Sequence, residues 1–240
     1  MLPKIEHPSY KIKIPSTQKN QSFRPFLVKE EKLLLIAKES GNETDILTAI
    51  KQVVTNCSLD KNLDTNKLSI FDLEYVFLKI RAFSIDNIVK IAYRDDEDET
   101  VYNFEVNLND VNVKFPEKKS DTIKITDKIG LIMKYPSASL YDDQEFLNTE
   151  NNHYFELILK CVDKIYFDEE VYEVKDIPKK ELEEFIENLK VDVFKQVNEF
   201  LTNAPKIEHV LSYTNKNGSK REIYLNSLND FFTWRWVIIR

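Results

Sequence analysis

Four consecutive charged residues, Lys29, Glu30, Glu31 and Lys32, stand directly before an apolar run from Leu33 to Ala37. Carboxylates beside lysines could exchange protons, so acid–base chemistry is the first use to test. A general acid and a general base must converge on one substrate atom. Consecutive helical residues point in directions about 100° apart, so these four do not converge. The cluster reads as the solvated beginning of a helix.

The other chemically capable residues are equally dispersed. His7, His153 and His209 show no ligand spacing such as HExxH. Cys57 and Cys161 lie far apart in apolar helical contexts and are expected as buried free thiols, not a redox pair or zinc site. The acidic run Asp95 to Glu99 lacks the loop glycine and spaced glutamate of a calcium loop, and reads as a solvated hairpin tip. Phosphate-cradling loops need glycines close together, and the three here, Gly41, Gly130 and Gly218, are far apart. No cofactor or metal is expected. Paired carboxylates for hydrolysis come from remote positions, so a carboxylate-dependent hydrolase stays open as the reading from another class.

A chain of 240 residues with 42% hydrophobic content can bury a sizeable core. Its net charge of −7 argues against nucleic acid, whose binding needs a basic surface, and against an anionic membrane. No apolar run approaches the ~20 residues of a spanning helix. The opening "MLPKIEHPSYKIKIPS" has no apolar core of a secretory signal, so folding in a cytoplasm is expected.

These residues must be positioned by recognisable elements. "YKIKIPS" alternates and stops at Pro15 as a short strand or arm. A helix is expected from near Val28 to a stop at Gly41, with Leu33 to Ala37 almost wholly buried. "NETDILTAIKQVVTNC" and "IFDLEYVFLKIRAFS" follow as helices, the second capped by Ser69. The period then changes to two, giving a hairpin around Asp95–Glu99, two strands in "DTIKITDKIGLIMKYPS", a helix in "SLYDDQEFLNTENNHYFELILKCVD" and a strand pair in "KIYFDEEVYEV". From Pro178 the apolar stripe Leu182, Phe185, Ile186, Leu189, Val193, Val197, Phe200 and Leu201 predicts one long helix or two broken near Lys190, able to dock a partner helix. A hairpin turning on Asn217-Gly218 follows.

The fold class is therefore α+β, in three stretches: a helical module over 1–86, a strand-rich middle over 87–176 and a helix-plus-hairpin unit over 177–240. Tyr93 and Tyr213, and the tripeptides Leu108-Asn109-Asp110 and Leu228-Asn229-Asp230, recur at a constant offset of 120. The last stretch thus reads as an echo of 70–113, with two unrelated hairpins the competing explanation. The ending "NDFFTWRWVIIR" holds both tryptophans in a dense apolar segment, as a closing core strand or a docking surface.

Three segments in order, "IPSTQKNQSFRPFLVKEEKLLLIAKES", "FDLEYVFLKIRAFS" and "YTNKNGSKREIYLNSLNDFF", resemble the baseplate hub and assembly proteins of T4-type contractile-tailed phages. The resemblance runs from about residue 10 to 232, while 114–176 contributes little to it. It implies a non-enzymatic role in building the central hub, either as a subunit of the virion tail or as a released assembly chaperone. The implied partners are other hub proteins, the tape-measure protein and a sister subunit, with no nucleic acid and no membrane. Phe23, Arg24, Pro25, Phe26, Lys29 and Glu30 match the first signature, Asp72, Glu74 and Arg81 the second, and Asp230, Phe231 and Phe232 the third. From these, and from Trp234 and Trp236, partner contacts are expected at Phe23, Arg24, Phe26, Lys29, Glu30, Phe231, Phe232, Trp234 and Trp236. Arg24 is expected to pair with Asp72, Glu74 or a partner's carboxylate.

Overall fold

Proline and glycine set the first boundaries. Pro25 keeps Arg24 out of helical geometry, and helix α1 begins shortly afterwards. In the structure, a computed structural model, residues 5–117, 120–149 and 153–231 are described. Strands β1 (Tyr10–Lys13) and β2 (Asn20–Phe23) precede α1 (Val28–Ser40), α2 (Glu43–Cys57) and α3 (Ile70–Ser84). Gly41 stops α1 with a φ of 68°, which only glycine adopts without strain. Asn42 caps α2 by accepting from the Thr44 N–H. Ser69 holds the cap position of α3 as expected, but its side chain makes no capping hydrogen bond there.

The chain continues through β3 (Ile88–Arg94), β4 (Val101–Asn107), β5 (Asn112–Lys114), β6 (Thr122–Lys124) and β7 (Ile129–Met133). Then come α4 (Gln144–Leu147), α5 (His153–Cys161), β8 (Val162–Phe167) and β9 (Glu170–Glu173). Last are α6 (Lys179–Glu187), α7 (Val191–Thr202), β10 (Lys206–Thr214), β11 (Lys220–Leu225) and the short α8 (Leu228–Phe231). The protein is α+β, with small antiparallel sheets. One element differs from the sequence expectation. The helix expected between residues 139 and 163 is a 3-10 turn at Ala138–Asp142 followed by α4 and α5. The Pro178 stripe takes the second of its two expected forms, two helices with Lys190 extended between them at a ψ of 149°.

These elements form two compact units, Met1–Lys114 with Lys206–Arg240, and Phe115–Pro205. The three stretches drawn from composition run across that division. Residues 177–205 belong to the second unit, while β10 pairs with β5 through Lys206↔Lys114, Ile207↔Val113 and Glu208↔Asn112. Short-range periodicity carries no information about such a long-range ladder.

The second unit is built on the sheet β6-β7-β8-β9. Leu131, Ile158, Val162, Leu182, Ile186, Val193 and Val197 form its core. The stripe of α6 and α7 is therefore used internally, not held out for a partner helix. Gly130 of β7 lies opposite Tyr166 of β8, and a β-carbon there would run into the tyrosine ring and hydroxyl.

In the first unit, α1 packs on α2 and α2 on α3. The two long hairpins, β3–β4 and β10–β11, meet at their tips. The acidic tip is not simply solvated: Asp95 is fully buried. It accepts from the Tyr213 hydroxyl and lies 3.3 Å from Arg221. Glu97 accepts from Asn215 Nδ2 at 2.9 Å and from Ser219 Oγ at 3.0 Å. Asp98 accepts from the Lys216 N–H at 2.8 Å and the Tyr102 hydroxyl at 2.6 Å. The Tyr213 ring packs against Tyr93, Tyr102 and Phe104.

Positions 120 apart in these hairpins do matching work. Asp95 and Asn215 each donate their N–H across the tip, to Thr100 and Ser219. Asp110 N–H donates to the Asn107 carbonyl at 2.9 Å, and Asp230 N–H to that of Ser227 at 3.1 Å. Leu108 and Leu228 are both buried. The helices upstream, α3 and α7, are assigned to different units.

Two outcomes are expected. Gly130→Ala should displace Tyr166 and cost roughly 1–3 kcal/mol, read as a lower urea midpoint. At the clasp, burial opposes the Asp98 charge, but the Tyr102 hydroxyl and the Lys216 and Thr100 N–H groups hold its pKa down to about 2. The unfolded chain, with an ordinary value of about 3.9, takes up the proton first. Stability present above that value should be lost as pH falls towards 2. Asp98→Asn should flatten the fall in urea midpoint across that window.

Candidate docking surface

Glu30 determines how α1 is seated. It is the third residue of the helix, and its carboxylate reaches back to accept the Leu27 N–H at 2.9 Å, satisfying a donor that the helix leaves open. It is also 1% exposed. A charge this buried needs a partner, and Arg24 supplies two contacts, at 3.0 and 3.2 Å. The same guanidinium donates to the carbonyls of Pro25 at 2.8 Å and Asn56 at 2.9 Å. One side chain thus ties the segment before α1, the start of α1 and the end of α2.

The pKa shifts follow this geometry. Burial alone would raise the Glu30 carboxyl, yet hydrogen bonds from Arg24 and Leu27 and the nearby positive charges hold it below its usual range. The hydrogen bond to Glu30 raises Arg24, outweighing burial. Arg24 therefore pairs within its own chain, with neither Asp72 nor Glu74. Asp72 is buried and accepts the Ser16 N–H at 3.0 Å. Glu74 is pushed up to about 7 by burial.

Of the four charges that opened the sequence, Lys29, Glu31 and Lys32 are exposed and Glu30 is not. A second departure lies in the apolar run. Leu34 and Ala37 are buried on the Glu30 face, but Leu35 and Ile36 are 47% and 56% exposed and Val28 is 80% exposed. At about 100° per residue, Val28, Leu35 and Ile36 share the side opposite Leu34 and Ala37, with Lys32 and Glu39 among them. Three exposed aliphatic residues on one side of a helix make that side the candidate docking surface of this unit. The signal was present in the sequence: apolar residues occupy both sides of α1, and one helix cannot bury both against one neighbour.

Beside this stripe lies a groove of about 280 Å³. Phe26, Leu34, Leu35, Phe77, Ile85, Val89 and Phe231 line it, together with Glu31, Arg81 and Lys90. Neither Asp72 nor Glu74, the carboxylates that burial pushes up, is among the lining residues.

The sequence-expected contact residues fall in three groups. Phe23, Phe26, Glu30 and Phe231 are buried, and Arg24 is engaged with Glu30. Lys29 is exposed, 3.6 Å from Glu30. Phe232, Trp234 and Trp236 lie outside the described residues. Sequence reasoning did not single out Val28, Leu35, Ile36 or Ile85.

Arg24→Ala should leave Glu30 buried without its partner and cost roughly 3–5 kcal/mol in a denaturation measurement. The double change Arg24→Met with Glu30→Leu removes both charges at similar volume and should recover most of that loss.

Among the described residues, no group of histidine, cysteine or carboxylate side chains is placed to hold a metal, and no helix is long and apolar enough to cross a membrane. Cys57 and Cys161 are buried free thiols, both raised by burial to about 12. No curated protein and no solved structure matches the chain significantly. A family model, T4 bacteriophage base plate protein, matches residues 7–233, nearly the whole chain. With its signature residues seating a helix that offers an apolar face, the chain belongs to the T4 bacteriophage base plate protein family.

Proposed function

We propose that this protein acts without catalysis in the baseplate hub of a contractile-tailed phage, as a hub subunit or as a factor that assembles the hub. The observation that carries the reading is the outward stripe Val28, Leu35 and Ile36 on a helix whose orientation is fixed by the buried Arg24–Glu30 pair. Family membership supports a baseplate setting and other baseplate proteins as partners. The tape-measure protein is the partner to which an assembly factor would present such a stripe, in the manner of a helix packing on a helix. Phe23, Arg24 and Glu30 position the surface in this reading, while Lys29 and Lys32 flank it.

The test separates docking from folding. Val28→Asp with Ile36→Asp changes two exposed positions and should leave stability within about 0.5 kcal/mol. It should abolish co-purification with baseplate proteins from infected cells and lower the yield of tailed particles. Normal assembly by the double variant overturns α1 as the docking surface. Mass spectrometry of purified virions and of lysate then distinguishes the two roles. A fixed small copy number in virions identifies a subunit, and abundance in lysate with loss from virions identifies a released factor.

A further inference from the structure

Helix α1 carries two charges on its outward side that its own helix leaves without partners. At about 100° per residue, Val28, Lys32, Leu35 and Glu39 fall along one line of α1 with Ile36 beside it, and all five are exposed. Partners for a charge on a helix lie three or four residues away. For Lys32 those positions hold Val28, Lys29, Leu35 and Ile36, and for Glu39 they hold Leu35, Ile36, Asn42 and Glu43. None is of opposite charge. Among the described residues neither side chain enters an ion pair. The exposed apolar pair Leu35 and Ile36 is thus bracketed by a lysine on one side and a glutamate on the other, at equal spacing. A two-fold axis makes that order complementary to itself, because every contact across it is made twice. A parallel pairing of two α1 helices would set Lys32 on Lys32 and Glu39 on Glu39. An antiparallel pairing centred on Lys32 also opposes lysines, and one with Val28 opposite Glu39 lays Leu35 on Lys32. With the axis between Leu35 and Ile36, each Leu35 meets the Ile36 of the other copy and each Lys32 meets its Glu39. Charge placed in a helical seam selects register at a cost in stability.

We propose that a second copy of this chain covers the outward side of α1 in the free protein, through an antiparallel contact between the two α1 helices in this last register. One helix from each copy makes a contact that is small beside the roughly 1,200–2,000 Å² of a stable interface. The dimer is therefore weak and exchanges readily for a baseplate partner. The inference rests on the reading of α1 as a docking surface, and names what holds that surface before docking.

Sedimentation of the purified full-length chain over a concentration series should show reversible exchange between monomer and dimer, weakened by added salt. Lys32→Glu and Glu39→Lys each set like charges at both ends of the contact, and each should raise the dimer Kd by roughly ten-fold or more. Both positions are exposed, so the far-UV circular dichroism and urea midpoint of either variant should stay unchanged. An equimolar mixture of the two variants restores an opposite pair at each end and should form a mixed dimer at least as tight as the unsubstituted one. A chain that is monomeric at every concentration overturns the proposal and leaves this side of α1 to a baseplate partner. A dimer indifferent to both single changes also overturns it, because the copies then meet elsewhere. So do single variants that dissociate and do not recover in the mixture. Failure of the docking reading looks different: the unsubstituted chain then dimerises as described, while the variant carrying Val28→Asp and Ile36→Asp assembles tails normally.

Discussion

The first unit depends on a carboxylate that cannot be left alone. Glu30 is almost wholly inside the protein, where an unpaired charge would cost several kcal/mol or be neutralised by protonation. Arg24 prevents both, and its remaining donors go to backbone carbonyls around Pro25 and Asn56. The arrangement also agrees with the helix dipoles: an anion sits in the first turn of α1 and a cation at the last turn of α2. Because the pair lies at the start of α1, it fixes how the helix is rotated as well as where it begins. A rotation of about 100° would carry Val28, Leu35 and Ile36 towards α2 and bring Glu30 out.

The hairpin clasp follows the same logic with different residues. Asp95 and Asp98 each take a donor more than a hundred residues away in sequence, Tyr213 and the Lys216 N–H, beside local donors such as the Tyr102 hydroxyl, and these bonds lower the pKa of both. Burying carboxylates under directional donors gives modest net stability at best, because desolvation opposes the attraction. It does discriminate between registers. A slip of one residue in β10–β11 would turn Tyr213 to the other face of its strand and strand Asp95 without its hydroxyl. The clasp and the Arg24–Glu30 pair thus specify which elements meet, while Phe23, Val53, Leu73 and Val76 supply the apolar burial.

Local elements were legible in the sequence where local chemistry decides them. The start of α1 near Val28, its stop at Gly41, α2, the hairpins and the break at Lys190 follow from capping, turn residues and periodicity. Buried thiols at Cys57 and Cys161 were legible for the same reason. Long-range pairing was not. Nothing in "NVK" announces that β5 will join β10, and a consecutive run of four charges does not reveal that its second member has a buried arginine partner. The run Leu33–Ala37 misled because an unbroken series of apolar side chains suggested complete burial, whereas α2 covers only one side of α1. The surface was legible in part: the sequence located α1, but named the residues that hold it and not those it presents.

The size of that presented face limits what it can do alone. Fully burying a Val, Leu or Ile side chain is worth about 1.5–3 kcal/mol. Val28, Leu35 and Ile36 are already partly covered, so together they offer roughly 3–5 kcal/mol on docking. Association itself costs an estimated 4–15 kcal/mol in lost freedom. The stripe by itself therefore supports a weak, reversible contact, suited to a partner that is met and released during assembly. A permanent place in a baseplate needs further buried area, and the groove lined by Phe26, Leu34 and Phe231 is the adjoining apolar surface that would have to supply it. A partner that fills the groove as well as covering the stripe would thus push the balance towards a built-in subunit, and one that meets the stripe alone towards reversible docking.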